Sequence, residues 1–124
     1  MLLLAGLATS DVRAQQARTG EPETAAQMVI GPEQMPNGYL LESVYPNPFN
    51  PSATVGFAVA RTQRVEVALY DALGRKVRTL FAGTVQANTR FETRVDGSGL
   101  PSGLYLIRFS GDGFSTTRRA TLLK

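Results

Sequence analysis

From Tyr39 to the C-terminus, apolar and polar residues alternate in short runs, separated by breaks rich in glycine, proline and aspartate. Such alternation puts every second side chain on one face of an extended strand. Tyr39–Val44 reads as a first strand. Thr54–Ala60 places Val55, Phe57 and Val59 on one face, and Arg64–Tyr70 does the same with Val65, Val67 and Leu69. Asp71-Ala72-Leu73-Gly74 fits a tight hairpin, with Asp opening a type I turn and Gly closing it. Lys76–Ala82 is the return strand; Val77 and Leu80 differ in parity, which predicts a bulge or a shift of face there. Thr89–Val95 turns Phe91, Thr93 and Val95 one way and Arg90, Glu92 and Arg94 the other. After the Asp96–Gly99 break and the Leu100–Gly103 turn, Tyr105–Ser110 is apolar on both faces and is expected at the centre of a sheet. Gly111-Asp112-Gly113 signals a hairpin into Ser115–Leu123.

About seven short strands with regular turn signals, and no stretch of helical period longer than two turns, predict an all-β fold. The expected form is an immunoglobulin-like antiparallel β-sandwich over residues 39–124. A small open β-barrel is the alternative.

The first 38 residues follow a different pattern. Leu2–Ala8 is an apolar run and Val12-Arg13-Ala14 offers small residues for cleavage, so residues 1–14 read as a secretory signal, although no Lys or Arg precedes the run. Residues 15–38 are punctuated by Gln, Glu, Pro and Gly and read as a flexible linker, disordered in the mature chain. Met28-Val29-Ile30 is an apolar island inside it that either docks on the domain or lies free. No other stretch approaches the roughly 18 apolar residues of a membrane span.

Charge divides the chain the same way. Residues 1–38 carry two Arg against four acidic residues, whereas residues 39–124 carry eleven Lys or Arg against six Asp or Glu, a net +5. A basic domain favours anionic partners, although arginines alternating outward along strands would give the same count.

The chemistry available is narrow. With no Cys and no His, there is no disulfide, no thiolate metal site, no Cys nucleophile and no imidazole base. Asp71, Asp96 and Asp112 sit in turns, where their side chains have a structural use. No glycine-rich loop joins a strand to a helix to cradle phosphate. The aromatics share the apolar faces instead of interleaving with arginine, so nucleic-acid binding is not expected. Neither enzyme nor cofactor is expected, and the chain is expected to be a monomer.

Four short motifs remain. Tyr45-Pro46-Asn47-Pro48, extended by Phe49-Asn50-Pro51, is a stiff strap: its prolines fix φ and push Tyr45, Asn47 and Asn50 out of the helical region. Leu69-Tyr70-Asp71-Ala72-Leu73-Gly74-Arg75-Lys76-Val77 joins a strand to its hairpin. Leu100-Pro101-Ser102-Gly103-Leu104-Tyr105 leads into the central strand, and Arg118-Arg119-Ala120-Thr121-Leu122-Leu123-Lys124 is a basic and apolar terminal run. In this order and spacing they resemble the type A C-terminal sorting domain of the type IX (Por) secretion pathway of Bacteroidetes-type bacteria. The resemblance covers about residues 39–124.

That resemblance implies a domain that directs an attached passenger across the outer membrane. Its partners would be the type IX translocon, a sortase-like surface peptidase and, where the passenger is attached to it, anionic lipopolysaccharide. The route would run through the periplasm to the surface of a Gram-negative cell. The residues it points to are Tyr45, Pro46, Asn47, Pro48, Asp71, Gly74, Arg75, Gly103, Tyr105 and Lys124. A plain immunoglobulin-like adhesion or assembly module, similar to the flagellar hook cap in the Asn-Pro-Phe-Asn-Pro and Gly-Arg regions, is the competing reading.

Overall fold

A computed structural model describes residues 28–124. The expected signal, residues 1–14, and the expected linker as far as residue 27 lie outside the described residues. The seven strands read from alternation are all present: β2 (Tyr39–Leu41), β3 (Ser52–Val59), β4 (Gln63–Asp71), β5 (Lys76–Val85), β6 (Thr89–Asp96), β7 (Gly103–Gly111) and β8 (Phe114–Leu122). An eighth, β1 (Met28–Val29), precedes them.

The strands form two antiparallel four-stranded sheets, ordered β1-β6-β3-β2 and β5-β4-β7-β8. The chain is thus a β-sandwich, and the second sheet has the strand order of an immunoglobulin C′CFG sheet. Between the sheets lies one continuous apolar cluster. Phe57, Val67, Leu69, Val95, Ile107, Phe109 and Leu122 are wholly buried in it, and the Phe57 ring meets those of Phe81, Phe91 and Phe109. Apart from Leu122 and Phe81, these are residues whose alternation predicted a shared face.

Two features at β4–β5 follow the sequence closely. The register runs Val67↔Phe81 then Ala68↔Thr79, and Leu69↔Arg78 then Tyr70↔Lys76. Leu80 and Val77 are therefore the skipped residues, each at a bulge, and both pack against the core. Bulges twist a strand and blunt its free edge. Strand β7 is internal, between β4 and β8, as its apolar faces required. Its outward face is nevertheless uncovered: Leu104 remains 42% exposed.

The boundary expected at residue 38 shifts toward the N-terminus. Met28 and Val29 pair with Arg90 and Thr89 of β6, and the Ile30 amide donates to the Asn88 carbonyl at 2.9 Å. After a 3₁₀ turn at Pro32–Gln34, Met35 returns to the sheet. Ile30 and Met35 are both buried, against the outward-facing Ala58 of β3. Residues 28–38 thus cover one outer face of the sandwich, and Met28–Ile30 takes the docked alternative. The first strand expected over Tyr39–Val44 is shorter, ending at Leu41.

Each lateral seam between the sheets is closed by an arginine. On one side the Arg118 guanidinium of β8 donates twice to the Leu41 carbonyl of β2, at 2.9 and 2.7 Å. On the other, Arg78 of β5 donates to the carbonyls of Asp96 and Ser98, at 2.6 and 3.2 Å. These two side chains depart from the expectation that arginines simply point to solvent. Among the described residues, no helix is long and apolar enough to cross a membrane.

Candidate functional site

The strap lies along the free edge of β8. Asn47 holds it there through its carboxamide: Oδ1 accepts from the Thr121 amide at 2.9 Å and Nδ2 donates to the Arg119 carbonyl at 3.2 Å. Phe49 continues the pairing, donating to the Thr121 carbonyl at 2.8 Å and accepting from the Leu123 amide at 3.0 Å. Its ring is wholly buried in the core. Pro46, Pro48 and Pro51 cannot donate to a ladder, so one amide side chain and one strand-like residue do the work of an edge strand. An edge so covered offers no template to another chain. Tyr45 bridges to Thr54 of β3 and is 78% exposed.

The turn after β4 forms as its residue types demand. Asp71 Oδ1 accepts from the Leu73 and Arg75 amides at 2.9 and 3.0 Å, and Gly74 donates to the Asp71 carbonyl at 2.9 Å. Gly74 has φ of 86°, a conformation that strains any residue with a Cβ. Arg75 then folds back, its Nε 2.8 Å from Asp71 Oδ2. The hydrogen bond from the Arg75 amide, followed by its guanidinium and the Leu73 amide, holds the Asp71 carboxyl below its usual range.

At the start of β7, Tyr105 is buried and its hydroxyl donates to the Pro101 carbonyl at 2.6 Å. A tyrosine near the start of strand F bonding backbone a few residues upstream is the tyrosine corner of immunoglobulin-like sandwiches. It gives a physical reason for Leu-Pro-Ser-Gly-Leu-Tyr: Leu100 packs on the core, the turn reverses the chain, and the phenol locks it. Gly103 begins β7 opposite Leu122. The amide of Lys124 donates to Ser102 Oγ at 2.9 Å, fastening the last residue to the same turn.

The registers bring these pieces together. Asp71 pairs with Tyr105, Gly103 with Leu122, and Phe49 bridges Leu122. Gly97 of the preceding loop donates to the Pro51 carbonyl. The four sequence motifs, spread from residue 45 to residue 124, therefore occupy one end of the sandwich. Sequence reasoning missed Phe49 as a core residue, and Ser102 and Arg119 as partners of the terminal run and the strap. A large aromatic embedded in a proline-rich stretch was the available signal for Phe49.

The opposite end carries an open groove of about 750 Å³ lined by residues including Arg61, Gln63, Arg64, Glu66 and Asp112. None of the predicted site residues borders it. Among the described residues, no cluster of three or more acidic side chains is placed to hold a metal.

Comparison with known proteins agrees with this geometry. The sequence profile described as "Secretion system C-terminal sorting domain" matches residues 43–122. The dimeric latent PorU of Porphyromonas gingivalis contains a similar fold, with a TM-score of 0.54 and 22% identity, over 68% of this chain and 9% of that one. This chain thus corresponds to a small part of that protein's length. A family 123 glycoside hydrolase from Clostridium perfringens aligns over 68% of this chain and 26% of its own, with a TM-score of 0.39 and 9% identity. No curated protein matches the chain in sequence. With the profile matched across β3 to β8, from the strap into the terminal run, the chain belongs to the family of type IX secretion system C-terminal sorting domains.

Proposed function

We propose that residues 28–124 are a folded export address, read at the end of the sandwich that carries the four motifs. In this reading the type IX machinery binds that end and moves an attached passenger across the outer membrane. A sortase-like peptidase then separates the two ahead of Met28. The observation that carries it is the convergence of strap, Asp71–Arg75 turn, tyrosine corner and terminal run on one end of the fold. A fold alone does not need this: a sandwich of this size needs turns at both ends, and the opposite end has no such motif. In this reading the domain's part is recognition, through backbone-tied turns and the exposed side chains around them.

The test is a signal-bearing fluorescent reporter followed by residues 15–124, expressed in a Bacteroidetes-type host with and without the translocon. Reporter outside the outer membrane only in the translocon-positive strain is the expected result. A folded fusion that stays periplasmic in both strains would sink the reading and favour an adhesion module.

A further inference from the structure

The outward face of the β5-β4-β7-β8 sheet holds an apolar cluster bordered on one side by the Lys76–Glu66 ion pair and on the other by two arginines that have no carboxylate partner among the described residues. Burial of Tyr105, Ile107 and Phe109 turns Leu104, Leu106 and Arg108 outward. The register then places Tyr70 on one side of Leu106 and Arg119 on the other. Leu106 is thus surrounded by Tyr70 and Leu104, which are apolar, and by Arg108 and Arg119, which are charged. Leu104 is 42% exposed, and Leu123, just past the end of β8, is 53% exposed. Among the described residues, no carboxylate lies within ion-pair distance of Arg108 or Arg119. Arg108 instead bonds Ser115 Oγ at 2.8 Å.

This face adjoins the motif-bearing end, since Leu104 follows Gly103 and lies opposite Thr121, whose backbone holds the strap. We infer that it docks an acidic protein segment that lays an apolar side chain over Leu106 and carboxylates against Arg108 and Arg119. The inference rests on the export reading and names the partner chemistry of that site. Charge complementarity carries it: two guanidiniums at fixed register positions on a flat sheet suit a protein surface, where carboxylates can also be fixed. A guanidinium binds a carboxylate through two parallel hydrogen bonds, which rewards fixed geometry. A lipid surface would instead favour apolar side chains projecting beyond the cations, whereas here the outward-facing Leu106 is only half-exposed, set between the longer side chains of Arg108 and Arg119. Arg108 and Arg119 form a diagonal pair across adjacent strands, their Cα atoms roughly 7–8 Å apart, a spacing that two acidic residues of one extended segment can match.

The experiment uses the reporter fusion in the translocon-positive host, with three versions compared. The parent is exported. Arg108→Glu with Arg119→Glu is expected to keep its melting temperature within a few degrees and lose export at least tenfold. Arg64→Glu with Arg94→Glu, the same charge change placed on exposed positions away from Leu106 (Arg64 at the far end of the same sheet and Arg94 on the other sheet), is expected to export at the parent's level. The milder pair Arg108→Gln with Arg119→Gln should fall between, and it takes over as the test should the reversed pair fail to fold. Equal loss in the Arg64/Arg94 control would overturn the inference, because net charge alone would then explain it. Export of the face variants at the parent's level overturns the inference while leaving the export reading intact, and a parent retained in the periplasm overturns both. A photo-crosslinking residue at position 104 should form a protein adduct mapping to a segment with at least two carboxylates, lost in the reversed pair; an adduct with lipid or glycolipid alone overturns it. Co-sedimentation of the purified chain with phosphatidylglycerol vesicles, abolished by the reversed pair, would assign the face to a membrane and likewise overturn it.

Discussion

The side chain of Asn47 stands in for a peptide group against Thr121: it accepts from the Thr121 amide at 2.9 Å and donates to the Arg119 carbonyl at 3.2 Å. These bonds bridge 74 and 72 residues of sequence. The opening motif and the terminal run are therefore a single structural unit. Asn47→Ala should destabilise the fold by about 1–2 kcal/mol, since it removes two hydrogen bonds at a partly solvated site. Amide exchange at Thr121 should quicken while exchange at Ile107, in the sheet interior, stays slow. Unchanged Thr121 exchange would mean that the Phe49 pairing alone secures the edge.

Tyr105→Phe isolates the corner hydrogen bond without opening a cavity. It leaves the Pro101 carbonyl without its phenol partner, so a loss of about 1–2 kcal/mol is expected. Urea unfolding at fixed m-value reads it directly. A midpoint equal to the parent's would show that the Leu100–Gly103 turn is held by Leu100 and the Lys124–Ser102 contact instead.

Phe57 and Ile107 are wholly buried from opposite sheets. Truncation of either to Ala should cost about 2–5 kcal/mol through the cavity left behind. Arg94→Ala, on an exposed position of β6, should stay within about 0.5 kcal/mol of the parent. Equal midpoints for Phe57→Ala and the parent would contradict the packing of its ring against Phe81, Phe91 and Phe109.

The inward faces were legible in the sequence because burial between two sheets imposes a period of two, which Val55, Phe57 and Val59 display plainly. Even the bulges could be read, since Val77 and Leu80 break that period and are the residues the ladder skips. What could not be read depends on long-range placement. Nothing local says that Asn47 reaches Thr121, or that the turn at Asp71 and the corner at Tyr105 share one end of the fold. Arg78 and Arg118 carry no mark separating them from outward-facing arginines; only the strand order brings them to a seam. The Met28–Met35 stretch reads as linker because its Gly31-Pro32 break and two-residue strand carry no periodicity. Its burial comes from Ala58, a small outward residue that becomes a seat only when an arm lies over it.

Acid should weaken the fold in part through Glu42. Arg90 of β6 donates to both of its oxygens at 2.7 Å and to Glu92 at 2.8 Å. The pair lies across Gly56, where an added Cβ would collide with Glu42 and Arg90. The Arg90 hydrogen bonds, more than compensating for partial burial, hold the Glu42 carboxyl below its ordinary 4.5. A carboxyl depressed in the folded state contributes stability above its unfolded pKa and loses it as pH falls through the folded value. The melting temperature of Glu42→Gln should therefore lie below the parent's at pH 7 and converge with it as pH falls from the ordinary 4.5 through the lowered folded value. A constant gap across that range would mean that the Gln side chain fails for reasons other than charge. Gly56→Ala should lower the melting temperature at pH 7 by displacing the same pair.

The arm of residues 28–38 gives the sharpest test of where the domain begins. The family profile starts at residue 43, yet Leu41 of β2 is in the core, and Ile30 and Met35 are as buried as core residues. Burial of an aliphatic side chain is worth about 1.5–3 kcal/mol. Met35→Ala, at the rim where neighbours can relax, is expected to cost about 2 kcal/mol, the low end for truncating a buried side chain. The Ile30 amide, bonded to Asn88, should exchange orders of magnitude more slowly than an unstructured amide. Both effects should vanish together if the arm is released, so the two measurements check each other. Removal of residues 28–38 should bare Ala58 and lower the melting temperature of what remains, with no change in the Tyr105 corner at the other end. An Ile30 amide exchanging at the unprotected rate, with Met35→Ala as stable as the parent, would return these residues to the linker and place the start of the fold at Tyr39. Slow exchange with a destabilised Met35→Ala would instead require any processing of the native chain to occur ahead of Met28, because cutting within the arm would first have to lift it from the sheet.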